Sequence, residues 1–207
     1  LNTLAIGIGA EANDTQSVAI GYTSVANSAY TTALGTSAIA MGQNSTALGA
    51  LSEAHGDNDL AVGTAAIANG GSSVAVGDLA KASGEFSTAM GADTKAVGYE
   101  SIALGKGSEA RANISAAVGT RAITNGASSV AFGSDVTADG DNSVVIGSGS
   151  TASGMNSIVI GWESDAIGED SIALGAQSTS DGYGAIALGT GSTATGDGAV
   201  AVGVMSE

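Results

Sequence analysis

The side chains that could do chemistry are few. The 207-residue chain contains no cysteine and a single histidine, His55. That excludes a disulfide framework and a thiolate metal cluster, and it leaves little for a zinc site or a Ser–His nucleophile system. Carboxylates are plentiful, with 20 acidic residues against 5 basic ones and a formal charge of −15. The tightest acidic groupings, Asp139/Asp141 and Asp165/Glu169/Asp170, sit in the ordinary pattern of the chain and read as solvated groups. The chain is therefore expected to be neither an enzyme nor a holder of metal or cofactor. Its negative charge disfavours nucleic acid and anionic lipid as partners.

The basic residues are the more pointed signal. Lys81, Lys95, Lys106, Arg111 and Arg121 all lie within 81–121, where four acids leave a local balance of 5 − 4 = +1; the remainder of the chain has sixteen acids and no base. Two readings compete for this group. One is ordinary salt bridging, within or between chains, worth about 0–1 kcal/mol per pair. The other is a docking band for an acidic ligand, such as a sulfated glycan or an acidic matrix-protein segment. His55 reads as a plain surface residue.

What must position these groups is a repeat. Gly recurs at 7, 21, 35 and onward to 203, fifteen times at a step of 14 without insertion or deletion, and a second series half a period away runs from 42 to 196 with Ala112 as its one break. A fixed period overrides residue-by-residue assignment. Numbering residues by their remainder on division by 14 gives register positions. Position 3 is mostly Ser or Thr, position 5 is Ala except Val145 and Val159, and position 12 is Ala except Thr124 and Ser180. Such alternation about alanine is a strand signal, because successive side chains point to opposite faces. A helix would pay about 1 kcal/mol for each internal Gly and shows no apolar stripe here.

Strands at positions 3–6 and 10–13, joined by turns, make each unit one flattened coil with two short parallel sheets. Positions 3, 5, 7, 10, 12 and 14 face inward, so the interior is thin and filled by Ala, Ser and Gly. The position-7 Gly is expected either to need positive φ or to avoid the opposite sheet. Positions 4 and 6 then face outward with large aliphatic groups. Position 6 supplies Ile6, Ile20, Leu34, Leu48, Val62, Val76, Met90, Leu104, Val118, Phe132, Ile146, Ile160, Leu174, Leu188 and Val202. Position 4 adds Val18, Leu60, Val74, Ile102, Val130, Val144, Ile158, Ile172, Ile186 and Val200. A stripe of this size exceeds what soluble monomers expose. Burying each such side chain contributes about 1.5–3 kcal/mol, so a symmetric oligomer with these residues at its axis is expected.

Ser17-Val18-Ala19-Ile20-Gly21, Ser73-Val74-Ala75-Val76-Gly77 and Ser101-Ile102-Ala103-Leu104-Gly105 resemble the S-V-A-I-G head repeats of trimeric autotransporter adhesins, the YadA-like group. The resemblance covers practically all of 1–207 as a single head domain. It implies an all-β fold, a left-handed parallel β-roll of about fifteen coils, assembled as a homotrimer. It also implies display at the bacterial cell surface beyond the outer membrane, and attachment to host extracellular matrix proteins (collagen-like, fibronectin or laminin class) or to cell-surface receptors and glycans. The asparagine-led form of the motif occurs at Asn142–Gly147 and Asn156–Gly161, which makes Asn142 and Asn156 candidate ligand contacts. No signal segment, neck motif, heptad stalk or anchor strands are seen, so the chain is expected to be a head that meets a membrane only through an anchor outside this sequence.

Six of the seven aromatics, Tyr22, Tyr30, Phe86, Tyr99, Trp162 and Tyr183, fall at turn positions and read as covers for seams between chains or as host contacts. Two rivals to adhesion remain. One is a passive spacer in a surface fibre. The other is an ice-binding coil, since Thr137, Thr151, Thr179 and Thr193 share position 11, although Asp165 interrupts them.

Overall fold

A computed structural model describes residues 2–207, and within them it holds 29 strands and no helix. They form two compact units, 1–107 and 108–207, built on one plan. In the first unit eight strands at positions 4–6 make one parallel sheet and seven at positions 11–12 make another. The second unit has seven of each. The expected β-roll is thus a parallel β-solenoid of about fourteen turns.

Register follows the period. Val18–Ile20 pairs with Thr32–Leu34 so that Val18 faces Thr32, Ala19 faces Ala33 and Ile20 faces Leu34, and Ile67–Ala68 pairs with Lys81–Ala82 in the same way on the other sheet. Most strands are shorter than the 3–6 and 10–13 expected. At position 3 the amide turns back to its own coil, as when Ser17 N–H donates to the Asp14 carbonyl at 3.1 Å, while the Ser17 carbonyl accepts from Leu4 N–H of the preceding coil at 3.0 Å. Half of each hydroxyl residue therefore belongs to a turn.

The interior is as the alternation requires. Ala19, Ala33, Ala47, Ala61, Ala75 and their counterparts at position 12 are fully buried, and so are the position-3 hydroxyl residues Ser17, Thr31 and Ser73. Many hydroxyls cap the local turn: Thr31 Oγ1 donates to the Ser28 carbonyl at 2.6 Å, and Ser52 Oγ to the Gly49 carbonyl at 2.9 Å. The largest buried side chains are Val136, Val145 and Val159. They fall among coils whose strands lengthen to five residues, Val130–Ser134, Val144–Ser148 and Ile158–Trp162.

Of the two causes expected for the position-7 glycines, positive φ holds at Gly21, while the obstacle to a side chain differs from the one expected. A Cβ on Gly21 would strike the carbonyl oxygen of Gly35, one coil further on, and not the opposite sheet. Gly21 also has φ 142°, so conformation and space both demand it. At position 14 only space does, because Gly42 has no unusual φ yet its Cβ would run into the Gly56 carbonyl.

The corners were not foreseen. Positions 2 and 9 take the left-handed conformation in coil after coil, at 23 non-glycine residues that include Thr23 (φ 51°) and Ile114 (φ 57°). Each costs about 1–2 kcal/mol. The return is an amide aimed at the preceding coil: Thr23 N–H donates to the Ile8 carbonyl at 2.9 Å, and Tyr30 N–H to the Thr15 carbonyl at 2.9 Å. An unpaired buried amide would cost a comparable amount.

Candidate binding surfaces

With the interior filled by alanine and hydroxyl groups, the side chains available for contact stand on two sheet faces and on the corners. On the 4/6 face the aliphatic groups have no cover. None of the twenty-five residues expected at an oligomer axis is buried, and Leu48 (39 %), Ile146 (40 %) and Phe132 (56 %) show how much of each remains exposed. Stacking at one strand spacing, about 4.8 Å, makes the groups within each unit contiguous.

The 11/13 face is mixed. In the first unit it presents Val25, Ile39, Met41, Glu53, His55, Ile67, Lys81 and Lys95 outward, with His55 Nε2 set 3.3 Å from Glu53 Oε2. Lys81 and Lys95 are direct partners on neighbouring strands, and Lys106 lies exposed at a turn position.

In the second unit both arginines are committed to carboxylates. Arg111 reaches Glu109 Oε2 with Nη2 at 2.6 Å and Nε at 2.8 Å, and its Nη1 donates to Asn125 Oδ1 at 3.0 Å. Arg121 grips Asp135 with two bonds, Nε to Oδ1 at 2.5 Å and Nη2 to Oδ2 at 2.7 Å. Those hydrogen bonds hold the Asp135 carboxyl below its usual range and raise the guanidinium further. The threonine row is broken as the residues suggest: Thr137 faces Thr151, but Asp165 stands between Thr151 and Thr179.

Asn142 and Asn156 both occupy left-handed corners, at φ 56° and 58°. Asn142 Nδ2 donates to Asn156 Oδ1 at 3.2 Å, and Asn156 Nδ2 to Asp170 Oδ1 at 2.9 Å. They form a ladder along the edge in which each amide already serves the coil beside it.

The repeat that carries these surfaces matches the family model of the YadA head domain repeat at residues 1–24, 15–38, 26–52, 54–80, 68–94, 82–108, 115–135, 138–164, 166–192 and 180–204. The chain belongs to the YadA head family. Comparison with curated proteins gives no match. The YadA head repeat is a structural adhesin family rather than an enzymatic one, in accord with functional groups spread over faces and edges. Among the described residues no three His, Asp or Glu side chains gather in a way that could hold a metal ion.

Two features of this YadA-type head lie beyond the motif. Phe86 and Tyr99 meet edge to face, with ring centroids 5.9 Å apart, and Glu100, hydrogen-bonded to the Tyr99 hydroxyl, raises its pKa. These turn aromatics contact each other within one chain. The second is Asp59, an acid at inward position 3 that is 1 % exposed. Its Oδ2 accepts from Gly56 N–H at 2.7 Å, and its Oδ1 from Ser73 N–H at 2.8 Å and Ser73 Oγ at 2.9 Å. The signal for Asp59 was in the register, where an acid occupies a Ser/Thr position; its bonding partners were not.

Proposed function

We propose that the chain forms the contact head of a homotrimeric adhesin displayed at the bacterial cell surface. The 4/6 faces of three chains meet at the axis, and the remaining faces and corners attach to host extracellular matrix proteins or cell-surface receptors. The observation that supports this reading most is the unpartnered aliphatic face, repeated coil after coil over an interior that has no room for it. Avidity then comes from repetition, since three copies of a many-coil surface present a weak contact many times at high effective concentration.

The test has two arms. Light scattering at micromolar concentration is expected to return three times the 19.5 kDa chain mass; a stable monomer overturns the axial assignment. The assembled head is expected to be retained on immobilised collagen, fibronectin or laminin. Absence of binding to all three and to host cells, with the trimer intact, would favour the spacer reading. The ladders give that reading its support, because Arg111, Arg121, Asn142 and Asn156 all spend polar groups inside their own chain.

A further inference from the structure

Two asparagines precede glycine, Asn69 before Gly70 and Asn125 before Gly126, and both stand at position 13 with the glycine at position 14. In such a pair a backbone nitrogen reaches the side-chain amide most easily, because glycine has no Cβ to obstruct it. In the second unit the pair is locked. Asn125 Oδ1 accepts from Arg111 Nη1 at 3.0 Å, and its Nδ2 donates to Asp139 Oδ1 at 2.5 Å. Gly126 is buried, and its N–H donates to the Ala138 carbonyl at 3.3 Å. In the first unit Asn69 is exposed and its side chain takes no hydrogen bond. Gly70 is half-buried, and its N–H meets only Ser73 Oγ, at 3.3 Å.

The buried acid Asp59 accounts for the difference. In a regular coil the position-3 N–H closes the turn onto the position-14 carbonyl, as Ser87 does on Gly84 at 3.1 Å. Here Asp59 Oδ1 takes the Ser73 N–H at 2.8 Å and the Ser73 hydroxyl at 2.9 Å, so the turn stays open. The peptide after Gly70 is displaced with it: a Cβ on Gly56 would meet the Gly71 nitrogen, where one on Gly42 meets the Gly56 carbonyl.

We infer that Asn69 is a site of spontaneous deamidation, released by Asp59, while Asn125 is protected. The Gly70 nitrogen, its proton lost to hydroxide, attacks the Asn69 side-chain carbonyl carbon. A C–N bond forms, the Cγ–Nδ2 bond breaks, and ammonia leaves after taking a proton from water. Water then opens the resulting succinimide at either carbonyl, giving aspartate or isoaspartate with no change of oxidation state. Either product puts a new carboxylate on the 11/13 face, and isoaspartate adds a main-chain carbon to a stack whose coils are otherwise equal in length. The site lies away from the 4/6 face and stands or falls independently of trimer formation and adhesion.

The experiment holds the 207-residue chain in mildly alkaline buffer at body temperature and maps its peptides by mass spectrometry, with isoaspartate read by enzymatic methylation. In urea both sites are expected to react equally. In the folded chain Asn69 continues to react, whereas Asn125 is at least about tenfold slower, the rate equivalent of one charge-assisted bond that must open first. Asp59→Ser, which restores the hydroxyl usual at position 3, closes the turn and slows Asn69; Arg111→Gln/Asp139→Ser releases Asn125 and speeds it. If circular dichroism shows that Asp59→Ser does not fold, the second variant and the unaltered chain decide. Equal rates at both sites in the folded chain, an Asn69 that reacts only in urea, or a folded variant of either kind with unchanged rates would each overturn the inference.

Discussion

The two faces of the first unit rest on one interior and share almost nothing else. Beneath both lie fully buried alanines, Ala19 and Ala33 under the 4–6 strands and Ala26 and Ala40 under the 11–12 strands. Above them, one face is mostly Ile, Leu and Val, with Thr32, Thr46, Thr88 and Met90 among them, and the other alternates Val25, Ile39, Glu53, Ile67, Lys81 and Lys95. The inward columns therefore build the coil, and the outward columns are free to differ because stacking makes no demand on them. What the outward columns repeat is not required by the stack itself.

The strongest way to break the comparison is to break what both faces share. Gly70→Ala puts a Cβ into the Gly84 carbonyl, and backbone cannot yield as a flexible side chain does. We expect a loss of about 3 kcal/mol in chemical denaturation, with both faces disordered together. Gly71→Ala, next in the chain, meets nothing within 4 Å and pays only for its left-handed φ of 84°, about 1 kcal/mol.

The contrast between the faces is sharpened by matched charges. Leu48→Asp on the 4/6 face is expected to lower the assembly constant by at least the burial of one aliphatic group per chain, about 1.5–3 kcal/mol, seen as dissociation in light scattering. Ile39→Asp on the other face leaves the mass unchanged. Equal dissociation by both variants would mean that both faces are covered in the assembly.

A smaller effect probes the interior. Ser180 interrupts the position-12 alanines, and its hydroxyl is buried without a partner, as is that of Ser171. At the equivalent place nine residues apart, Thr124 Oγ1 bonds Ser115 Oγ at 2.9 Å. Ser180→Ala removes an unsatisfied group and should stabilise the coil by about 1 kcal/mol, read as a higher melting temperature.

The smallest effect is electrostatic. Asp135 is held below its ordinary pKa of 3.8, chiefly by its hydrogen bonds to Arg121. A depressed carboxyl stabilises the fold above the unfolded-state pKa and loses that contribution as pH falls through the folded-state value. Arg121→Gln should move the Asp135 titration upward in a carboxyl NMR experiment and weaken the acid-side pH dependence only slightly, since both partners are exposed.

Much of this molecule was legible in its sequence. The period of 14, the inward Ala and Ser columns and the outward Ile, Leu and Val all follow from strand alternation, which is local and needs only near neighbours. The parallel register follows too, because identical coils bury their alanines only when stacked one period apart. Tertiary structure decided the rest, since it depends on residues fourteen apart meeting across the stack. The left-handed corners at Thr23 and Tyr30 are held by amides that reach the preceding coil, the glycine columns are enforced by the next coil's carbonyls, and Asp59 is accommodated by Ser73 one coil away. The same geometry committed Arg121 to Asp135, which the next coil places beside it, and set Lys81 beside Lys95 on neighbouring strands.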